Sequence, residues 1–362
     1  MCLVQDITTI IIMHKIKSTI MQKIPDIFLV IESLGFGKVL RKVLRSIFIV
    51  PRQRLKVTDI KNLSRHIPLP IYFFITPELH KSNDWYGNAT ILKDYSGVDS
   101  NYAIKSAVEH GSSPSGIIFE QDRFSKFPAI ITYSKERAHF LSEATGKKVF
   151  SIGPYIYYAQ DLLNDSEYET EKKRLGKNLL VFTAHSSVDV KSDYNINNYC
   201  KEVVKVSKKF DTVRVCLYWR DISYGVDKIY RKYGFECVTA GDIFDPLFLP
   251  RLKTIIKCST STMSNSISTH IGYCVLLNKP HYYFDQKIHF SGNTQIIQDS
   301  VDLKDTQATL AIKKLFGKYS DYVTDDQRKI IAPIWGFDQL KTPHEMKKIF
   351  NECELTFRKK LG

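Results

Sequence analysis

Asn178-Leu179-Leu180-Val181-Phe182 runs directly into Thr183-Ala184-His185-Ser186-Ser187. Five residues without a charge form the continuous apolar run that a strand buried on both faces requires, and such strands belong to parallel sheets covered by helices. Residues 213–219, 235–239 and 280–284 repeat the pattern with helix-compatible segments between them, so the second half reads as a βα series. Toward the N-terminus, strand-like runs recur at 71–75, 103–108 and 129–132. Residues 134–145 then read as a helix stopped by Gly146, and 148–152 return to strand before Gly153-Pro154 breaks it. Between the two series, the acidic stretch 161–173 has helical propensity and no apolar strand, and reads as a connector. The expected architecture is α/β with two Rossmann-like domains facing each other across a cleft. Its parts are residues 1–160, a connector over 161–176, residues 177–335 and a closing helical segment over 336–362.

A chain of 362 residues exceeds the size at which one core stops growing, which agrees with two domains. With 43% hydrophobic, 25% charged and 12% aromatic residues, the composition is globular and leaves little room for a long disordered tail. The net charge of +14 favours anionic partners: nucleotide phosphates, anionic lipids or nucleic acid. No basic-aromatic module marks a nucleic-acid binder. The seven cysteines are scattered and form no CxxC pair, so neither a zinc site nor a disulfide framework is indicated, and a reducing cytosol fits best. No run reaches the roughly 18 apolar residues of a spanning helix, and Ile10 to Met13 is too short for a signal-peptide core; a cytoplasmic protein is expected.

Val39, Leu40, Val43, Leu44, Ile47 and Phe48 recur at helical spacing, with Lys38, Arg41, Lys42 and Arg45 on the other face. This basic amphipathic helix either lies on an anionic membrane at the inner face of the cytoplasmic membrane or packs on the domain core.

Ligands of open parallel sheets bind outside the carboxyl ends of the strands, so the loops there are the candidates for chemistry. Residues 258–270 lead into a helical segment over 271–277, with Ser264 as its expected cap. Free N–H groups at that helix start, the dipole, and the hydroxyls of Ser264, Ser266 and Thr269 would suit a phosphate, and His270 shares a face with Ser266. The plainer reading is a hydroxyl-rich cap with His270 turned to solvent or hydrogen-bonded in the interface. His185 and Ser186 would face the same phosphate or the sugar. The loops 219–221 and 241–245 would hold base and ribose, or are turns. Asp189 and Asp193 form no clustered acidic motif, so no metal site is expected. In the first half, Glu109-His110-Gly111 places a carboxylate and an imidazole at a strand end. Glu109 is the favoured general base, because a partly dry cleft raises a carboxyl pKa toward neutrality, with His110 beside it. Burial of either side chain against backbone donors is the alternative. Asp84, Trp85 and Tyr86 have the acidic and aromatic character of an acceptor-contacting loop, or of core packing.

The run from Ser261 to Cys274, followed by Lys279-Pro280-His281-Tyr282, resembles the phosphate-binding loop, helix and returning strand of the donor domain of GT-B glycosyltransferases. Tyr86-Gly87, Glu109-His110-Gly111, Ile131-Thr132-Tyr133-Ser134 and Ile152-Gly153-Pro154-Tyr155 are similar to a set encoded with bacterial capsule and lipopolysaccharide genes. The resemblance spans roughly residues 70–336. It implies an inverting, metal-independent transfer of a sugar from a nucleotide-sugar donor on the second domain to a glycan or lipid-linked acceptor on the first. No resident cofactor is implied. The comparable layout of bacterial sialyl- and Kdo-transferases places a CMP-sugar ahead of UDP- or GDP-sugars, although their paired-acid-glycine and His-Pro motifs are absent here. It further implies that the final helix packs back toward the first domain. A teichoic-acid-type glycerophosphotransferase and a nonhydrolysing sugar-nucleotide epimerase share the architecture and stay open as alternatives.

Overall fold

The computed structural model describes residues 36–66, 75–111, 118, 123–187, 190–292 and 306–361. Two separate parallel sheets organise them. The first has three strands, β1 (Ala107–Val108), β2 (Ala129–Thr132) and β3 (Lys148–Ser151), in that order. The second is built from β4 (Asn178–Phe182), β6 (Thr212–Cys216), β7 (Glu236–Val238), β8 (Ser261–Ser264) and β9 (His281–Tyr283) in the order β7-β6-β4-β8-β9. All its pairs are parallel. An antiparallel ribbon of β5 (Val190–Tyr194) and β10 (Ile288–Gly292) flanks it.

Two departures from the sequence reading have a local reason. The strand expected at 71–75 lies almost wholly outside the described residues. That expected at 103–108 shrinks to β1, because side chains take its backbone groups: Glu78 accepts from Ile104 N at 3.2 Å, and Asn83 donates to Ser106 O at 3.0 Å. Conversely, β8 occupies residues expected to be loop. The hydroxyls of Thr262 and Ser264 lie 2.9 Å from Pro280 O and 2.9 Å from Ser266 O, and the neutral ring of His281 bridges them, donating to one hydroxyl and accepting from the other. Buried hydroxyls satisfied in this way are tolerated in a central strand, which apolar periodicity alone does not register.

One apolar cluster runs through both sheets, joining Ile131 and Tyr133 to Leu180, Phe182, Val238, Ile271 and Trp335. Trp335 ends the helix Asp325–Trp335 and lies flat against Gly272, where a β-carbon would stand 2.2 Å from the indole. Segments cross between the halves at both ends of the chain. Near the start, Val57 O accepts from Thr239 N at 3.0 Å, and Ile60 joins the core around Val181 and Val215. At the end, the helix Pro343–Leu361 lies along the first sheet, with Met346, Phe350 and Cys353 buried and Lys148 paired to Glu352 at 2.6 Å. The acidic stretch 161–173 is largely taken up by a helix, Asp165–Leu175, started by a capping box between Asn164 and Glu167, and its Tyr168 and Leu175 pack with Cys258.

Candidate functional site

From β4 the chain moves outward through β6 and β7, then returns to the other side of β4 for β8 and β9. The order reverses between β4 and β8, so the crevice beyond their carboxyl ends is the ligand position of an open α/β sheet. The loop after β4 is Thr183 to Ser187; that after β8 is Asn265 to Ser268, leading into the helix Thr269–Leu276. Asn265 ties them together: it is fully buried and its Oδ1 accepts from Ala184 N at 2.6 Å. Its Nδ2, also buried, has no hydrogen-bond partner among the described residues. In the first turn of the helix, His270 stacks on Phe182 with centroids 4.6 Å apart and an interplanar angle of 21°, and its buried Nε2 is likewise unpartnered among the described residues. His185 lies across the crevice with its ring 4.6 Å from that of Tyr218.

Two of the hydroxyls expected at a phosphate belong to the scaffold instead. The helix begins at Thr269 with Ser268 as its N-cap, not near Ser264. Ser264 is the last residue of β8, fully buried, with its hydroxyl between Ser266 O and His281 Nε2. Ser186 is 1% exposed; its N–H donates to the Asp221 carboxylate and its Oγ accepts from Ser192 N at 3.2 Å. Both hydroxyls hold loops in shape, which explains why they turn inward. Ser266, Thr269 and His270 are half-buried at the crevice, and His185 is exposed there.

The first sheet meets this crevice through its own strand ends. A β-carbon on Gly111 would lie 3.2 Å from Thr269 Oγ1, so the Glu109-His110-Gly111 turn abuts the start of the helix. His110 packs against the Trp85 edge at 4.8 Å. Tyr86, at φ +58°, donates its N–H to Ile243 O at 2.6 Å, and its hydroxyl lies 3.4 Å from that of Tyr218. At Gly87, φ is +74° and a β-carbon would stand 2.3 Å from Pro246 O, so only glycine lets this loop close on the second sheet. Glu109 points the other way. It is 1% exposed, receives Nε and Nη2 of Arg137 and accepts from Thr132 Oγ1. Its carboxylate is therefore fully engaged behind the sheet, whereas its neighbour His110 stands beside Trp85. Asp84 also lies off the crevice: it is 8% exposed, accepts from Thr76 Oγ1 at 2.6 Å and lines a cavity of about 30 Å³ beneath the helix Phe36–Phe48.

Burial holds His270 and His281 neutral. His281, between its two hydroxyls, is pushed down to about 3. His270 lies well below its ordinary value, first by burial and then through His281 and His185. Surrounding protein atoms lower His185 to about 4, although the residue is exposed. Burial raises Asp221 to about 6 despite the bonds from Ser186. The crevice thus offers neutral imidazoles whose pKa an arriving anion would raise. The other acidic loop residues are committed to structure: Asp245 pairs with Arg251 at 2.8 Å and Arg52 at 2.9 Å, and Asp242 with His66.

Sequence reasoning passed over Tyr218, Asn265 and His281 as site residues. Tyr218 and Asn265 have a positional signal, since they lie just beyond the carboxyl ends of β6 and β8, whereas His281 is the first residue of β9 and has none.

No family model and no curated protein matches the chain. Among solved structures it is similar to the UDP co-structure of MnaA from S. aureus, at 13% identity over 60% of this chain and 63% of that one, with a TM-score of 0.28.

Proposed function

We propose that the chain is a glycosyltransferase that binds a nucleotide-sugar at the β4/β8 crevice and passes the sugar to a hydroxyl of a glycan or lipid-linked acceptor. One observation carries the reading: the Glu109-His110-Gly111 turn of the first sheet abuts the helix start at Thr269, within the crevice where the second sheet's strand order reverses. Two substrates held by two sheets would there be brought face to face. The diphosphate or phosphate of the donor lies against the helix start at Thr269 and His270, with Ser266, His270 and His185 donating to its oxygens. Trp85 and Tyr86 flank the acceptor. His110 takes the proton of the acceptor hydroxyl as its oxygen bonds to the sugar, and the bond from the sugar to the donor phosphate breaks with its electron pair leaving on the nucleotide. The transfer is a single displacement with inversion.

The test is incubation with CMP-, UDP- and GDP-sugars, following nucleotide release with and without a lipid-linked acceptor. Acceptor-dependent release is expected. Donor conversion without an acceptor would replace this reading by an epimerase, transfer of a glycerophosphate from a CDP-linked polyol would replace it by a glycerophosphotransferase, and inertness toward all donors would remove it.

A further inference from the structure

The basic amphipathic helix does not spend its whole apolar surface on the fold. Leu44, Phe48 and Ile49 pack with Ile75 and Phe244, and Arg41 Nε donates to Asn101 Oδ1 at 3.0 Å, which seats the helix on the body. The other side is bare. Val39, Val43, Ile47 and Val50 are 62, 48, 56 and 41% exposed, and their spacing of four, four and three residues makes one continuous stripe along the helix and into the next turn. Lys42 is exposed on the same helix, and Arg54 and Lys56 are exposed on the segment that follows it. From residue 36 to residue 58 the chain carries seven Lys and Arg and no Asp or Glu.

We infer that this stripe is a docking surface for an anionic phospholipid bilayer, into whose headgroup layer Val39, Val43, Ile47 and Val50 insert. The argument is one of charge and shape. A row of aliphatic side chains with a rim of bases is the form of a helix lying in the membrane plane, its apolar side buried and its bases against lipid phosphates. A second copy of the chain is the poorer occupant, because two such stripes meeting would bring their basic rims together. Among the described residues no helix is long and apolar enough to cross a membrane, so the contact is peripheral. The inference does not depend on the transfer chemistry proposed above.

Co-sedimentation of the full chain with phosphatidylcholine vesicles, with and without phosphatidylglycerol, tests it. Binding is expected only to the anionic vesicles and should weaken as salt is raised. Val43→Asp/Ile47→Asp should lower the partition coefficient by about ten-fold or more, with an unchanged circular-dichroism spectrum because both side chains already face water. Lys42→Glu/Arg54→Glu/Lys56→Glu should lower it comparably, and Leu355→Asp, an equally exposed residue on the C-terminal helix, should not. The inference is overturned if the wild-type chain ignores anionic vesicles or if the double Asp variant binds as wild type. It is also overturned if the wild type sediments as a dimer that the double Asp variant converts to monomer.

Discussion

Glu109→Gln separates a structural carboxylate from a catalytic one. In the fold, Glu109 is 1% and Arg137 7% exposed, and three donors converge on the carboxylate: Nε and Nη2 of Arg137 and the hydroxyl of Thr132. Glutamine keeps the shape but replaces one acceptor oxygen by an NH₂ group that faces a donor, and leaves the guanidinium without its counter-charge. Removing one partner of a buried ion pair costs about 3–5 kcal/mol, and the slight exposure of Arg137 places this case near the lower end, about 3 kcal/mol. Urea unfolding should show that loss as a lower midpoint with unchanged slope. Replacing both partners, as Glu109→Leu/Arg137→Met, should recover most of it, because the charge and its counter-charge leave together. Transfer measured on the folded fraction of Glu109→Gln should stay within a few-fold of wild type, while His110→Ala loses roughly 10²-fold with nucleotide affinity retained. A Glu109→Gln protein that unfolds like wild type yet is dead in transfer would refute the structural assignment and return the base to Glu109.

His270→Ala should raise the nucleotide Kd about ten-fold or more with little loss of stability; titration calorimetry reads the affinity, and an unchanged Kd removes His270 from the phosphate. Because an anion raises the pKa of the imidazoles it meets, binding should take up protons and tighten as pH falls, visible as a dependence of the binding heat on buffer ionisation enthalpy. The stability profile carries a sign of its own. His281 falls from 6.5 to about 3 on folding, so the unfolded chain binds the extra proton and stability drops as pH falls below 6.5; His281→Asn should flatten that slope in urea titrations over a pH series. Asp221 rises from 3.8 to about 6, so it contributes the opposite slope between those values, which Asp221→Asn should remove. Gly272→Ala drives a methyl into the Trp335 indole and should cost about 1–3 kcal/mol, seen as a lower melting temperature.

The sequence by itself determined the repeating βα rhythm. Residues 129–132 and 178–182 form strands with the bounds their apolar runs indicate, and Ser134 and Gly146 cap the helix between β2 and β3, because burial on both faces and cap geometry are written in local residue order. The loops around His185 and His270 were legible as candidates for the same reason, since they follow strands. What tertiary structure alone decided is which side chains face the crevice. Ser264 and His281 satisfy one another across neighbouring strands that are 17 residues apart in the chain, so hydroxyls that look like ligand donors in a linear reading belong to the sheet. Glu109 finds Arg137 on the following helix, 28 residues on, which turns the carboxylate inward beside the more exposed His110. Val43 and Leu44 are adjacent and equally apolar, yet one packs and the other meets water, because only the position of the body beneath the helix distinguishes its two sides. Pairing across space depends on the register of strands and the seating of helices, and those are set by the sum of contacts over the whole chain rather than by any one stretch of it.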